Sequence, residues 1–536
     1  MFMDLSDKTC LIIDDFADMR GMLKSMISTY GIKEIDTASN GKEAIKQLER
    51  RDYDIVLCDY NLGDGKDGQQ ILEEAKLKDL IRFSAVFIMI TAENTMQMVM
   101  GAFEYLPDDY LSKPFNKDLL RARLEKVINN KADFEEIEKA ISKDKLHNAI
   151  SLCDERIQEN PRNLTEFYKL KSSLCVKLGK YKDAAEIFEK ILAKRDTPWA
   201  KLGLGKIHFY SGELFEAKEI FEEIVEENSH HTEAYDWLAK TMVELGDMEE
   251  AQEVLETAIE KSPKAILRLM DLGEVAMKNK DFKTAERAYK KASNIGRNSI
   301  YQQPTNYTNQ AKALAHLGSG KDAMKVLARV RKDYAHEDEA SMFAAATESF
   351  VYKTMGNETD ARKAYEKAED FYGKLGKKVT SEAAIEMAAT CLLNGETEKG
   401  VSLMQEVIKN NHEDQKLLHE VQKIFDEAGM EDQGKKVISS TREEIIKLNN
   451  KGVRLAEEGD LEEAIDYFEK AVKNMPSNKT VNMNMAKVLL LHMRKNGKND
   501  RQLYKVRQYI QRIQQIDPAN KSLQKLSDMY ESIAGR

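Results

Sequence analysis

Asp14 and Asp15 stand side by side at the end of the apolar run CLII (10–13), and a third carboxylate, Asp59, closes a second run, IVLC (55–58). Like charges side by side repel, and charges at the edge of a core are costly unless something pairs with them. The adjacent pair therefore either opens a helix or holds a cation. Thr91 closes a third apolar run, and Lys113 follows the weaker run DDYLS (108–112), with Tyr110 three residues before it. Taken singly, each has an ordinary structural use. Asp15 and Thr91 are good helix N-caps, Lys113 could be a solvated strand-end lysine, and Tyr110 could be core.

The elements that must carry these groups are legible up to about residue 130. TCLIID (9–14), YDIVLCD (53–59) and SAVFIMIT (84–91) are continuously apolar, as expected of parallel strands buried on both faces. EIDTAS (34–39) and DDYLSK (108–113) are weaker strand candidates. Amphipathic stretches fill the gaps at 19–30, 41–51, 68–79, 94–106 and 116–130. Five strands alternating with five helices predict a doubly wound α/β domain with a parallel sheet, whose ligands sit beyond the carboxyl ends of the strands. The acids, Thr91 and Lys113 all fall there.

From residue 131 the pattern is helical only, and it repeats. Ala184, Ala217, Ala251 and Ala285 open equivalent helices at spacings of 33, 34 and 34, with Ala149 before them. Ala323, Ala361, Gly400, Gly434 and Ala464 continue the series at spacings of 38, 38, 39, 34 and 30. A period near 34, with a turn glycine and then small, aromatic and small residues at fixed offsets, resembles the tetratricopeptide repeat. The unit containing Gly452, Gly459, Ala464, Phe468, Ala471 and Pro476 carries that pattern most fully. Small residues let paired helices approach, and the aromatic fills the hole between them. The polar stretch GRNSIYQQPTNYTNQ (296–310) is expected to interrupt the array, and the segment from Arg501 to Tyr530 reads as a divergent capping pair. The expected architecture is thus an α/β domain at 1–130 and an all-α superhelical solenoid at 131–536, of ten to eleven helix pairs.

The α/β domain resembles a response-regulator receiver. Asp15, Asp59, Thr91 and Lys113 follow one another at spacings of 44, 32 and 22 residues, and Pro114 follows Lys113 as in that family. The resemblance implies that Asp59 is the phosphoacceptor and that Lys113 and Thr91 contact the phosphoryl oxygens. It implies a Mg2+ ion held by Asp15 and Asp59, with Asp14 acting largely through water and the Asn61 backbone carbonyl contributing; hard oxygen ligands suit that ion. Thr91 and Tyr110 would form the switch, relaying the change to the face of the last two strands and helices. The chain would be a phosphoacceptor with Mg2+-dependent self-phosphorylation and dephosphorylation, not a turnover enzyme. One local departure concerns the loop DYNLGDGKDGQQ: it has Gly63 where the family usually has proline and runs one residue longer before Asp67–Gly68. With Asn61 and Glu93, this loop bears on phosphate lifetime.

Composition narrows the function classes. The 536 residues carry a net charge of −10 with 32% charged residues, which favours neither nucleic acid nor membrane surfaces as partners. Five scattered cysteines without a C-x-x-C suit a reducing compartment, and His230–His231 is a poor metal pair because neighbours on a helix diverge. The Met residues at 19, 22, 26, 96, 98 and 100 are read as packing. No long apolar run or basic leader is present, so a cytoplasmic protein is expected.

No glycine or proline lies between Pro114 and Pro161, so residues 119–141 are expected to run as nearly continuous helix and couple the receiver to the first repeat. Output would be protein binding by the repeats, whose charge is uneven. Residues 213–261 hold sixteen acids against three bases, and residues 494–512 hold seven bases against one acid. The expected partners are a histidine kinase as phosphodonor and a protein bound by the solenoid, with a sister kinase, another response regulator or a second copy of the chain (a homodimer) as candidates. Two other readings stand beside this: a repeat-based phosphatase or inhibitor acting on another regulator, and a constitutive scaffold.

Overall fold

Strands β1 (Thr9–Ile13), β2 (Glu34–Ala38), β3 (Ile55–Asp59), β4 (Val86–Thr91) and β5 (Asp109–Ser112) form one parallel sheet in the order β2-β1-β3-β4-β5. The structure is a computed structural model, and it describes all residues except 1–2, 93–106, 144, 518–520 and 535–536. Helices α1 (Ala17–Ser28), α2 (Gly41–Arg50), α3 (Gly68–Leu77) and α4 (Lys117–Ala132) accompany the sheet. The helix expected at 94–106, together with Glu93, Met96, Met98 and Met100, lies outside the described residues.

Alternate residues of the strands feed two cores. Ile12, Leu57 and Ile88 face one side with Leu23, Leu120 and Leu124, while Ile13, Val56 and Phe87 face the other with Ile45, Leu48 and Ile71. Both faces are covered, which is why the strands read as unbroken apolar runs rather than alternating ones. The register places Ile13 beside Cys58, Asp59 beside Ile90 and Thr91 beside Ser112. Four strand ends therefore finish together, and the residues just at or beyond them share one edge.

The chain divides into two compact units, residues 1–306 and 307–536. The first holds the sheet domain and, among the described residues, ten further helices, from Glu135–Ser142 to Phe282–Ile295, closed by a 3-10 turn at Gly296–Asn298. The predicted continuous helix at 119–141 is broken. α4 stops at Ala132, and the next helix begins at Glu135. Phe134 leaves the helical path because its ring is buried between two others, edge-on to Phe83 at 5.2 Å and stacked on Phe167 at 4.2 Å. Lys131 adds an ion pair to Asp108 at 2.7 Å, and the Ser84 amide donates to Glu138, so the receiver and first helix pair are joined by packing as well as by chain.

Several repeats close by setting an aromatic ring on a glycine. A Cβ on Gly205 would lie 2.6 Å from the Phe221 ring, and one on Gly452 the same distance from Phe468. The periodic small residues, from Ala149 to Ala464, are buried, including Gly400 and Gly434. The polar interruption is shorter than expected: helix resumes at Pro304, a residue suited to the first helical position, and runs to His316. In the second unit the short spacing between Gly434 and Ala464 has a direct cause. One 28-residue helix, Glu431–Glu458, serves as the second helix of one pair and the first of the next, so no inter-repeat turn is needed. The segment after it ends in helices Asp500–Ile516 and Lys521–Ala534.

Part of the uneven charge is used inside each unit. In the first, Lys201 pairs with Asp196, Glu223 and Glu227, Lys218 with Asp247, and Arg268 with Asp236. In the second, Lys505 pairs with Glu469, and Arg512 donates to the Pro476 carbonyl.

Candidate phosphoacceptor site

Asp14 and Asp59 are buried, 0% and 7% exposed, at the ends of the two central strands, while Asp15 is partly exposed. One oxygen from each of the three carboxylates lies within 4.8 Å of the others. They are brought together because β1 and β3 are paired in register and Gly68 lets the following loop fold back: a Cβ there would meet the Asp59 carbonyl at 2.4 Å.

Lys113, just past β5, donates to Asp59 Oδ2 at 3.1 Å and to Asp14 Oδ2 at 3.2 Å. The Lys113–Pro114 peptide is cis. Asp14 Oδ1 accepts from the Phe16 amide at 2.9 Å, and its own carbonyl accepts from Arg20 at 2.7 Å. Asp15 Oδ1 is buried with no hydrogen-bond partner among the described residues. Burial pushes the Asp59 carboxyl above its ordinary value, with Lys113 acting the other way. Burial would depress the Lys113 ammonium, but the hydrogen bond and charge of Asp59, with Asp14 behind it, hold it above its ordinary value.

This donor set fits a small divalent cation. Three hard oxygens converge, one of them unpartnered, and a single ammonium does not neutralise three carboxylates. A Mg2+ ion would be held by Asp15 and Asp59, with Asp14 behind and the Asn61 carbonyl on the loop that leaves β3.

Thr91 ends β4 beside Ser112. Tyr110 already packs against the core that includes Phe87 and Met89, its hydroxyl buried without a partner among the described residues. Burial raises its phenol. Arg20 was not singled out from the sequence. Its only signal there is its place one and a half turns past Asp14, and the bond to a backbone carbonyl follows from tertiary placement alone. All five cysteines are free and buried, and no helix among the described residues is long and apolar enough to cross a membrane.

Comparisons with known proteins agree with these features. The response regulator receiver domain model matches residues 10–125, and tetratricopeptide repeat models match 208–270, 242–304 and 448–478. Chemotaxis protein CheY-3 of Vibrio cholerae is 30% identical over 117 residues, 22% of this chain and 88% of that protein. CheY of Pseudomonas aeruginosa is 27% identical over 117 residues, covering 22% of this chain and 93% of the relative. Among solved structures, a response regulator of Thermotoga maritima in complex with Mg2+-BeF is 31% identical, covering 22% of this chain and 98% of that one, with a TM-score of 0.20.

Proposed function

Because this chain belongs to the response regulator receiver family and carries tetratricopeptide repeats beyond the receiver, we propose that it is a two-component regulator whose phosphorylation state governs protein binding by the repeats. The carrying observation is the convergence of Asp14, Asp15 and Asp59 with the Lys113 ammonium bonded to two of them.

In this reading a carboxylate oxygen of Asp59 attacks the phosphorus of a phosphohistidine on a histidine kinase. The new P–O bond forms as the P–N bond breaks, and the imidazole leaves. Bound at the three carboxylates, Mg2+ supplies charge neutralisation for the incoming phosphoryl oxygens. The chain's own contribution is placement. Asp59 stands at the end of β3, Lys113 donates to its Oδ2 from just past β5, and Thr91 ends β4, the strand between them. Lys113 then exchanges its pairing with Asp59 for the phosphoryl group, a charge-assisted contact of the strong kind. Phosphoryl transfer asks little covalent chemistry of a protein, so orientation and electrostatics suffice.

The repeats supply the output surface, and the partner they take is a protein of the same signalling system, a sister kinase or regulator. A pull-down from native lysate tests the reading. One bait carries Mg2+ and beryllofluoride, which imitates the aspartyl phosphate, and the other carries Asp59→Ala under the same conditions. A partner retained by one bait alone supports it. Identical partners with equal affinity would leave a constitutive scaffold.

A further inference from the structure

The loop that leaves the candidate phosphoacceptor ends on the repeats. Asn298, in the 3-10 turn that closes the first unit, donates to the Gly65 carbonyl at 2.8 Å, and Lys66 donates back to the Asn298 carbonyl. Gln70 donates through Nε2 to the Ile295 carbonyl at 3.2 Å, and Ser299 Oγ donates to Glu73 at 3.2 Å. These contacts lie within residues 1–306, on the α3 side of the sheet, away from the β4–β5 face expected from the resemblance.

The interface accounts for several otherwise unexplained features. Gln70 and Glu73 of α3 are 8% and 3% exposed although both are polar, and each is bonded to the turn. Buried polar groups need partners, and Gln70 and Glu73 find theirs at Ile295 and Ser299. The Ile295 carbonyl lies where the last helix of the first unit passes into the 3-10 turn, and Gln70 adds a side-chain donor to it. The polar interruption beginning at Gly296, which breaks the repeat pattern, supplies Asn298 and Ser299. The extra loop length before Asp67 carries Gly65 and Lys66, the two loop residues that reach the turn.

The same short segment is tied to the site at its other end. Gly68 donates to the Tyr60 carbonyl at 2.8 Å and packs on the Asp59 carbonyl, and Gly63, at φ +68°, would place a Cβ 3.4 Å from Asp15. Gln70 joins both ends: its Oε1 accepts from the Asp67 amide at 3.2 Å while its Nε2 holds Ile295. Residues 60–68 thus run from the Asp59 end of β3 to groups bonded to the turn.

We propose that residues 65–73 and 295–299 form an intramolecular latch through which the state of Asp59 reaches the repeats. This rests on the phosphoacceptor reading. Two-site coupling is reciprocal, so occupancy of Asp59 changes the latch, and loosening the latch changes the affinity of Asp59 for a phosphoryl mimic by the same factor.

The test uses the full chain, hydrogen exchange by mass spectrometry, and Mg2+ with beryllofluoride as the probe. Asn298→Ala and Ser299→Ala together remove two latch contacts from the repeat side and leave the receiver sequence intact; Asn298 is exposed, so its removal leaves no hole. The expected result is protection of residues 59–68 on loading, with exchange at 295–301 changed about fivefold or more. In the double variant the beryllofluoride concentration for half-protection shifts by a comparable factor. If loading protects 59–68 while 295–301 is unchanged and the variant binds equally well, the latch is static packing and the proposal fails. If beryllofluoride leaves 59–68 unprotected, as in Asp59→Ala, the phosphoacceptor reading has failed first and the latch falls with it.

Discussion

The ammonium of Lys113 sits 3.1 Å from Asp59 Oδ2, joining the ends of two strands that are 54 residues apart in the chain. Replacing Lys113 with Met leaves the buried Asp59 carboxyl without its main charge partner and removes a donor to the phosphoryl oxygens. Phosphorylation by a small phosphodonor such as acetyl phosphate should fall roughly 10- to 100-fold, read by phosphate-affinity electrophoresis. An unchanged rate would remove Lys113 from the site.

Asp15 Oδ1 is a buried carboxylate oxygen without a hydrogen-bond partner among the described residues. Mg2+ at ten times its dissociation constant should stabilise the receiver by about 1.4 kcal/mol, measured as slower exchange of the β1 and β3 amides. Asp15→Asn should lose most of that gain while folding normally without the ion. Equal stabilisation of wild type and variant would move the cation elsewhere.

His412 in the second unit accepts through Nδ1 from Asn478 Nδ2 at 3.0 Å, and burial holds its imidazole below the ordinary 6.5. Below that pH the unfolded chain takes up a proton that the folded chain refuses. Stability of residues 307–536 is therefore complete above about pH 6.5 and is lost as pH falls toward the depressed folded value, by at most about 1.4 kcal/mol per pH unit. Unfolding midpoints from pH 7.5 to 5.5 should show this slope, and His412→Gln should flatten it.

Gly452→Ala sets helix propensity against packing. Alanine favours an exposed helix by about 1 kcal/mol over glycine, but here its Cβ would stand 2.6 Å from the Phe468 ring. Overpacking should win, with a net loss of about 1–3 kcal/mol in denaturant unfolding. Restoration by Gly452→Ala combined with Phe468→Leu would show that the ring is the cause.

Most of the sheet domain was readable in the sequence because burial on both faces imposes continuous apolar strands, and a strand's end is where its apolar run meets a polar residue. The repeats were readable because each ring needs a small residue across from it, and that requirement recurs with the period. Two boundaries were not. The break at Phe134 depends on Phe83 and Phe167, which lie 51 and 33 residues away in the chain, and no local pattern announces a ring that must fit between them. The fused helix Glu431–Glu458 showed only as a spacing of 30.

The sequence by itself determined the kind of chemistry: which carboxylates, which hydroxyl and which ammonium stand at strand ends, and that a repeat array follows. It could do so because strand ends and helix pairs are set by nearby residues. Only the tertiary structure decided where that chemistry is felt. The sequence pointed to the β4–β5 face, whereas the described contacts add a second connection, from Gly65, Lys66, Gln70 and Glu73 to residues 295–299. Those partners are separated by more than two hundred residues, and their pairing follows from how the helix array brings the turn at Gly296 back to α3.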